Sequence, residues 1–429
     1  MTGVQTCALP ICVEVVNDEL NECRGLLWAH GSLYANANNS KGLYRLRDTT
    51  GDDQFDEVTL LRKTGGGVGH GRNSIALGPD GFIYLTHGND VLLPEGFKPT
   101  PASTYRNYRR DQLLPCEWNR VMFNKGVKPP AGHVIRTDQD GERWDMIAGG
   151  FRNPYGLAFN PDGELFVYDA DMEWDEGSPW YRPTRVNHVV SGGDYGWRQG
   201  TDKWPAYFPD SLPGNADIGL GSPTAIAFGT DSNFPEPYRR ALFILDWAYG
   251  KIIAVHLIPE GASYRGQAEE FVTGRPLNVT GVDFGPDGAM YFVTGGRRTQ
   301  SGLYRVRYVG DEPQPSLGQA AAGEAKRARE LRRRLEQFHS RRSIEGVGLA
   351  WEHLGNDDPW IRHAARVALE NQALEQWKLP ALTESNTKKA LSALMALARS
   401  SDPKVQSQIF GRLNDLPWEG LPVQWHLVA

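Results

Sequence analysis

Short alternating runs of apolar and polar residues recur along this chain with the same turn between them. The three clear copies are Asn73-Ser-Ile-Ala-Leu-Gly-Pro-Asp-Gly-Phe-Ile-Tyr84, Tyr155-Gly-Leu-Ala-Phe-Asn-Pro-Asp-Gly-Glu-Leu-Phe166 and Thr280-Gly-Val-Asp-Phe-Gly-Pro-Asp-Gly-Ala-Met-Tyr291. Each has an apolar run, a Pro-Asp-Gly turn and a second apolar or aromatic run, which predicts two antiparallel strands joined tightly. Asp-Gly supplies the positive φ that such turns require. A degenerate fourth copy, Thr224-Ala-Ile-Ala-Phe-Gly-Thr-Asp231, regains its second strand only after an insertion, at Ala241-Leu-Phe-Ile-Leu245, and a fifth hairpin is predicted at Gly25-Leu-Leu-Trp-Ala-His-Gly-Ser-Leu-Tyr34. Hairpins at these intervals, with insertions filling the longer gaps, predict a mainly β propeller over residues 12–310, since a blade needs ~40–50 residues. Five blades are visible.

The pattern then changes. Asp311-Glu-Pro-Gln-Pro-Ser-Leu-Gly-Gln-Ala-Ala-Ala-Gly323 reads as a linker over residues 311–323, and residues 324–429 take apolar spacings of three and four, the mark of helices. Asp358-Pro places an N-cap and a proline at the first helical position, and Asp402-Pro repeats the device at the interval of HEAT-type helix pairs. An all-α, HEAT-like solenoid, cut short, is therefore expected after the propeller. Within it the cluster Arg332, Arg333, Arg334 reads as a solvated helix face rather than a site for an acidic partner.

Charge follows the same division: residues 324–429 carry net +3 and the remainder net −9, out of −6 overall. An acidic propeller argues against nucleic acid as a partner. No apolar run is long enough for a transmembrane segment. Residues 1–11, Met-Thr-Gly-Val-Gln-Thr-Cys-Ala-Leu-Pro-Ile, resemble a translated sequencing adapter and are set aside, so the natural chain is expected to begin upstream. That leaves Cys23 and Cys116 as secure cysteines, too few for a disulfide framework.

The repeat also serves as a ruler. Counting back eleven places from each turn glycine reaches His70, Arg152 and Leu277, with Asn153 and Asn278 in the next column and Asn73 and Thr280 two further on. Equivalent positions in different blades surround one end of the propeller axis, so His70 and Arg152 are expected at a common mouth, a base beside an anion stabiliser. The structural alternative is that His70 only caps a strand after the glycine-rich stretch Gly65-Gly-Gly-Val-Gly69, which lacks the Lys-Ser/Thr of a phosphate loop.

Gly150-Phe-Arg-Asn-Pro-Tyr-Gly-Leu-Ala-Phe159 and Asn187-His-Val-Val-Ser-Gly-Gly-Asp-Tyr-Gly-Trp197 resemble signatures of the glucose/sorbosone dehydrogenase family. The resemblance implies a six-bladed propeller whose first blade is truncated here, with pyrroloquinoline quinone and calcium as cofactors. It casts His70 as general base and Arg152 and Asn153 as the pair that polarises the quinone carbonyl. At the quinone-holding position the family carries two arginines, where this chain has Asn278 and Thr280, and a lysine expected near Asp246-Trp-Ala-Tyr249 is missing. Buried charge-assisted contacts contribute ~1.5–3 kcal/mol each, so the expectation is weak quinone retention.

Over its whole length the chain resembles bacterial proteins described as membrane-bound dehydrogenases, or PVC-type haem-binding proteins. Asp169-Ala-Asp-Met-Glu-Trp-Asp-Glu-Gly-Ser-Pro-Trp-Tyr-Arg-Pro-Thr-Arg185, Trp204-Pro-Ala-Tyr-Phe-Pro-Asp-Ser-Leu212 and Gly295-Gly-Arg-Arg-Thr-Gln-Ser-Gly-Leu-Tyr-Arg305 carry this likeness. It implies a periplasmic or cell-envelope location and a c-type haem domain as electron acceptor. No Cys-x-x-Cys-His occurs here, so that haem belongs to a C-terminal segment absent from this sequence.

Asp169, Asp171 and Glu173, followed by Asp175, alternate after a blade strand and offer the oxygen ligands calcium takes, and the first resemblance places calcium in this loop. The alternative pairs these carboxylates with Arg182 and Arg185. Asp48-Thr-Thr-Gly-Asp-Asp-Gln-Phe-Asp56 is a weaker cation loop, better read as a blade turn, and Asp138-Gln-Asp-Gly141 is a hairpin turn. Trp174, Trp180 and Tyr181 could stack on a sugar, though aromatics in such loops more often pack between blades. Two functions remain open: a sugar or polyol dehydrogenase-like module, or a non-catalytic scaffold that grips a polysaccharide or protein.

Overall fold

The computed structural model describes residues 15–93, 127, 130–171, 182–198, 202–209, 211–310, 323–400, 403–423 and 425. Five antiparallel blades follow one another in the chain. Blade 1 comprises Cys23–Ala29, Ser32–Ala37, Gly42–Arg47 and Glu57–Lys63. Blade 2 comprises Arg72–Leu77, Ile83–His87, Gly132–Thr137 and Trp144–Phe151. Blade 3 comprises Gly156–Phe159, Leu165–Asp169, Thr184–Val189 and Ala216–Gly219. Blade 4 comprises Pro223–Phe228, Leu242–Asp246, Lys251–Glu260 and Ser263–Thr273. Blade 5 has three strands, Val279–Phe284, Met290–Thr294 and Gly302–Val306. The insertion in the degenerate fourth copy is a 3-10 turn and the short helix α1 (Glu236–Arg239). Blade 1 is a full four-stranded sheet.

The first strand of each blade is the innermost. These strands abut one another in chain order, tied by bonds such as Ser74 N–H to Tyr155 O (3.1 Å) and Thr224 Oγ1–H to Val279 O (2.9 Å). Their starting ends therefore lie together, which places the residues before each of them at one end of the axis.

After the propeller come α2 (Glu324–Glu336), α3 (Ile344–His353), α4 (Pro359–Glu370), α5 (Lys378–Thr383), α6 (Thr387–Arg399) and α7 (Gln406–Asn414). Asp358 caps α4 as its sequence predicts, its carboxylate accepting from Trp360 N–H at 2.8 Å and Ile361 N–H at 3.3 Å. The second expected cap, Asp402, lies outside the described residues; Pro403 opens a 3-10 turn and α7 begins at Gln406. Helix α4 is buried on almost every side and packs against α2, α3 and α6.

The helical region is seated on blade 3. In blades 2 and 5 the turn aspartate is held by a tyrosine and an arginine of its own blade. Tyr84 Oη–H and Arg136 bond Asp80 at 2.9 and 2.7 Å, and Tyr291 and Arg305 hold Asp287 in the same way. Blade 3 has Phe166 in the tyrosine position and His188, cross-strand from it, in the arginine position. The helices supply the missing cations. Arg329 reaches Asp162 at 3.6 Å, and Arg332 is 1% exposed and bonds Glu164 at 2.6 Å and Glu336 at 2.7 Å. Arg333 also reaches Glu164, at 3.1 Å. The solvated face expected of this arginine cluster is thus wrong for Arg332, because Glu164, just after the Pro-Asp-Gly turn, draws it into the seam. The apolar core is continuous across the junction, running from Val189 and Tyr195 to Phe338, Trp360 and Leu369.

Three buried histidines stay neutral in this fold. His188 donates Nε2–H to Glu164 (2.8 Å) and accepts at Nδ1 from Ser263 (2.8 Å); burial outweighs its acidic neighbour and lowers its pKa to about 4. His87 donates Nδ1–H to His133 Nε2 (3.1 Å), and His133 donates its single ring proton, at Nδ1, to Ala131 O (2.8 Å). Burial lowers His133 to about 4 and His87 well below 6.5, the latter helped by His133 and Arg72. The unfolded chain then binds more protons than the folded one once pH drops below about 6.5. Stability is expected to be full above pH 6.5 and to fall towards pH 4, by about 1.4 kcal/mol per pH unit for each histidine that titrates. Urea midpoints between pH 7.5 and 4.5 check this; a flat profile above pH 5 would contradict it.

Candidate functional site

The end of the axis where the innermost strands begin gathers His70, Arg152 and Asn153 with residues that the ruler did not single out, among them Asn89, Asp90 and Arg24. His70 N–H donates to Asp90 Oδ2 (3.0 Å) and its Nδ1–H to Asn89 Oδ1 (2.7 Å). With the ring proton held at Nδ1, Nε2 is the nitrogen that can accept one. Asn89 also donates its backbone N–H to Arg152 O (2.8 Å), so one buried residue spans the two sequence-predicted positions. Gly88 lies between them so closely that an added Cβ would stand 2.5 Å from Asn153 Oδ1 and 2.6 Å from His70 O. No side chain fits there, and the approach of blade 2 to blade 3 depends on this glycine.

Asn153 Oδ1 accepts from Asn73 Nδ2 (2.9 Å), whose Oδ1 in turn accepts from Arg24 (3.3 Å). The chain Arg24, Asn73, Asn153 links blades 1, 2 and 3 at this end. Arg152 is 5% exposed and His70 is half-buried. The glycine-rich stretch before His70 is explained by contact rather than phosphate: Gly66, at φ +91°, would set a Cβ 2.0 Å from Asp90 O.

Asp169 is fully buried at the end of its strand. Its carboxylate accepts backbone N–H from Arg152 (3.2 Å to each oxygen) and Asn153 (2.8 Å), and Arg185 is its cross-strand neighbour and a favourable charge. It therefore positions the Arg-Asn pair. Asp171 is also buried. Glu173, Asp175, Trp174, Trp180 and Tyr181 lie outside the described residues. Among the described residues no group of three or more His, Cys, Asp or Glu is arranged to hold a metal. The weaker loop closes on itself: Asp48 accepts N–H from Gly51 (2.6 Å) and Asp53 (2.9 Å), which depresses its pKa, and Asp56 accepts from Thr49 (2.7 Å).

Asn278 and Thr280 sit in blades 4 and 5's part of the mouth and are spent on structure. Asn278 Nδ2 donates to Trp247 O (3.0 Å) and Thr280 Oγ1–H to Val293 O (3.3 Å). Neither has a hydrogen bond to the His70 cluster among the described residues. Beside them Arg297 lies 5.1 Å over the Trp247 ring, a cation at this end that the eleven-place count misses because it follows the second strand. Counting six places forward from each turn glycine, to His87, Asp169 and Thr294, would have reached that side of the mouth.

These amide and guanidinium groups fit a ligand rich in carboxylate and carbonyl oxygens, and His70 adds a base. The fold defines a mainly β propeller module followed by a helical region. The chain belongs to the family described as a domain of unknown function, DUF7133, which matches residues 13–294. A curated relative, quinoprotein glucose dehydrogenase B of Acinetobacter calcoaceticus, is 25% identical over 151 residues, 33% of this chain and 28% of that protein. The chain thus spans little more than a quarter of that relative's length. An oxidoreductase from Thermus thermophilus, described as a glucose dehydrogenase, superposes with 21% identity and a TM-score of 0.48 over 68% of this chain and 86% of its own. The aldose sugar dehydrogenase of Streptomyces coelicolor, solved with its quinone, gives 15% and 0.45 over 65% and 75%. No helix among the described residues is long and apolar enough to cross a membrane.

Proposed function

We propose that the propeller oxidises a sugar or polyol hydroxyl, with His70 Nε2 accepting the hydroxyl proton. The observation that carries this reading is the Asn89 bridge, which holds His70 in the accepting tautomer while tying it to the Arg152-Asn153 segment. Arg152 and Asn153 stabilise negative charge as it develops, and Asp169 keeps their backbone in place. When bound, pyrroloquinoline quinone would supply the hydride acceptor; Arg152 and Asn153 are the residues that would hold it, without help from Asn278 and Thr280, whose side chains are engaged by main-chain carbonyls. Calcium belongs to this reading through Asp169, Asp171 and Glu173, and the electrons pass on to a c-type haem domain in the cell envelope.

In the same reading a sixth blade closes the ring between blades 5 and 1, whose outward faces carry the exposed Leu303 and the exposed Leu26 and Trp28. The helices continue as a HEAT-like solenoid. The second reading, a binding scaffold, is favoured by Asn278 and Thr280, which replace cations and are already engaged.

The test is dye reduction by aldoses and polyols with added pyrroloquinoline quinone and calcium, using the whole chain. Sugar-dependent, quinone-dependent reduction is the expected result. No turnover together with no quinone-induced change in melting temperature would overturn the enzyme in favour of the scaffold.

A further inference from the structure

A cavity of about 210 Å³ opens where the propeller meets the helices, away from the mouth. Residues 206–209 and Ser211, from the connection before the last strand of blade 3, form one wall, α4 and α6 the others, and Trp425 an edge. It is smaller than the ~300–1,000 Å³ of sites for drug-sized ligands, so a compact molecule is the match.

Its polar groups are unusual for a packing void. Arg362 donates through Nη1 to Asn356 O (2.5 Å) and Asp357 O (3.2 Å), and its guanidinium lies 5.3 Å over the Trp425 ring. Nε and Nη2 have no protein partner among the described residues, and no carboxylate there comes within ion-pair distance of this cation. Burial lowers the Arg362 pKa, the sign of a partly desolvated charge. Ser211 and Ser392, 7% and 6% exposed, line the same cavity, and neither hydroxyl has a hydrogen-bond partner among the described residues. None of these atoms is sealed from solvent, so the two hydroxyls and the guanidinium are accessible from the cavity, where a ligand can take the place of water. The remaining lining includes Tyr207, Phe208 and Met395, which suit a short carbon skeleton.

The geometry points to a second ligand site at this seam, for a compact organic carboxylate. The planar fork of Arg362 takes the carboxylate, the two serines take its remaining lone pairs or a hydroxyl, and the aromatic wall covers the carbon chain. Because the cavity is built from both regions, its ligand would stabilise their junction. The site stands apart from the activity proposed for the mouth.

The whole chain is titrated with gluconate, citrate, benzoate and inorganic phosphate at matched ionic strength, following melting temperature and heat of binding. At least one carboxylate is expected to bind saturably and raise the melting temperature. Arg362→Ala should weaken it by about tenfold or more. Since Arg362 also holds two backbone carbonyls, Met395→Trp serves as a second variant that fills the cavity without touching the cation, and it should abolish binding. The proposal is overturned if no carboxylate binds, if phosphate binds as well as the best carboxylate, or if the ligand binds Met395→Trp unchanged.

Discussion

Arg332→Met is expected to lower the unfolding free energy by about 3–5 kcal/mol, measured by urea denaturation at pH 7. The guanidinium bonds Glu164 of blade 3, Glu336 of its own helix and Ala262 O of blade 4, all in a seam closed to solvent. Removing it leaves Glu164 and Glu336 buried, with Arg333, half exposed, as the main compensation for Glu164. Burial alone would raise the Glu164 pKa, yet Arg332 and His188 hold it far below the usual carboxylate range. The pair's net contribution is a different quantity: Glu164→Gln combined with Arg332→Met should lose less than the sum of the single changes, since the Glu164 charge is then no longer stranded, although Glu336 still is. Additive losses would mean that Arg332 acts through packing alone. If the seam is as continuous as its core, both regions should unfold in one transition in the wild type and separate in Arg332→Met.

In the sugar oxidation assay, His70→Ala is expected to cut kcat by about 10²–10⁴, the range a positioned base contributes. Stability should change little, because the imidazole is half-buried and its backbone N–H stays bonded to Asp90. Asn89→Leu tests the positioning role separately. It removes the acceptor that keeps the proton on Nδ1, so kcat should fall and its pH profile should shift while the sugar's KM moves much less. A binding-only site would show no kcat to lose and would lose affinity instead. Asn89→Leu with an unchanged pH profile would remove Asn89 from the mechanism.

The turn triads show how far the chain could be read without coordinates. Pro-Asp-Gly-Phe-Ile-Tyr and Pro-Asp-Gly-Ala-Met-Tyr announce a hairpin and the tyrosine that secures its aspartate. Pro-Asp-Gly-Glu-Leu-Phe, with an acid after the turn and phenylalanine for tyrosine, was a legible departure, and it marks the seat of the helices. What could not be read was the partner, because Arg332 lies 168 residues further along the chain. The same limit applied at the mouth. His70, Arg152 and Asn153 follow from counting along the repeat, whereas Asn89, which joins them, and Arg24, which anchors Asn73, belong to different strands or a different blade.

Local periodicity and turn chemistry by themselves determined the hairpins, their order, the change to helices after residue 310 and the end of the axis to which His70 and Arg152 belong. These are properties of residues a few places apart, where steric limits and alternation act directly. Tertiary structure alone decided the tautomer of His70, the engagement of Asn278 and Thr280 by main-chain carbonyls, and the burial of Arg332. Each depends on which donors and acceptors remain unsatisfied once distant segments meet, and burial makes leaving one unpaired too costly to tolerate.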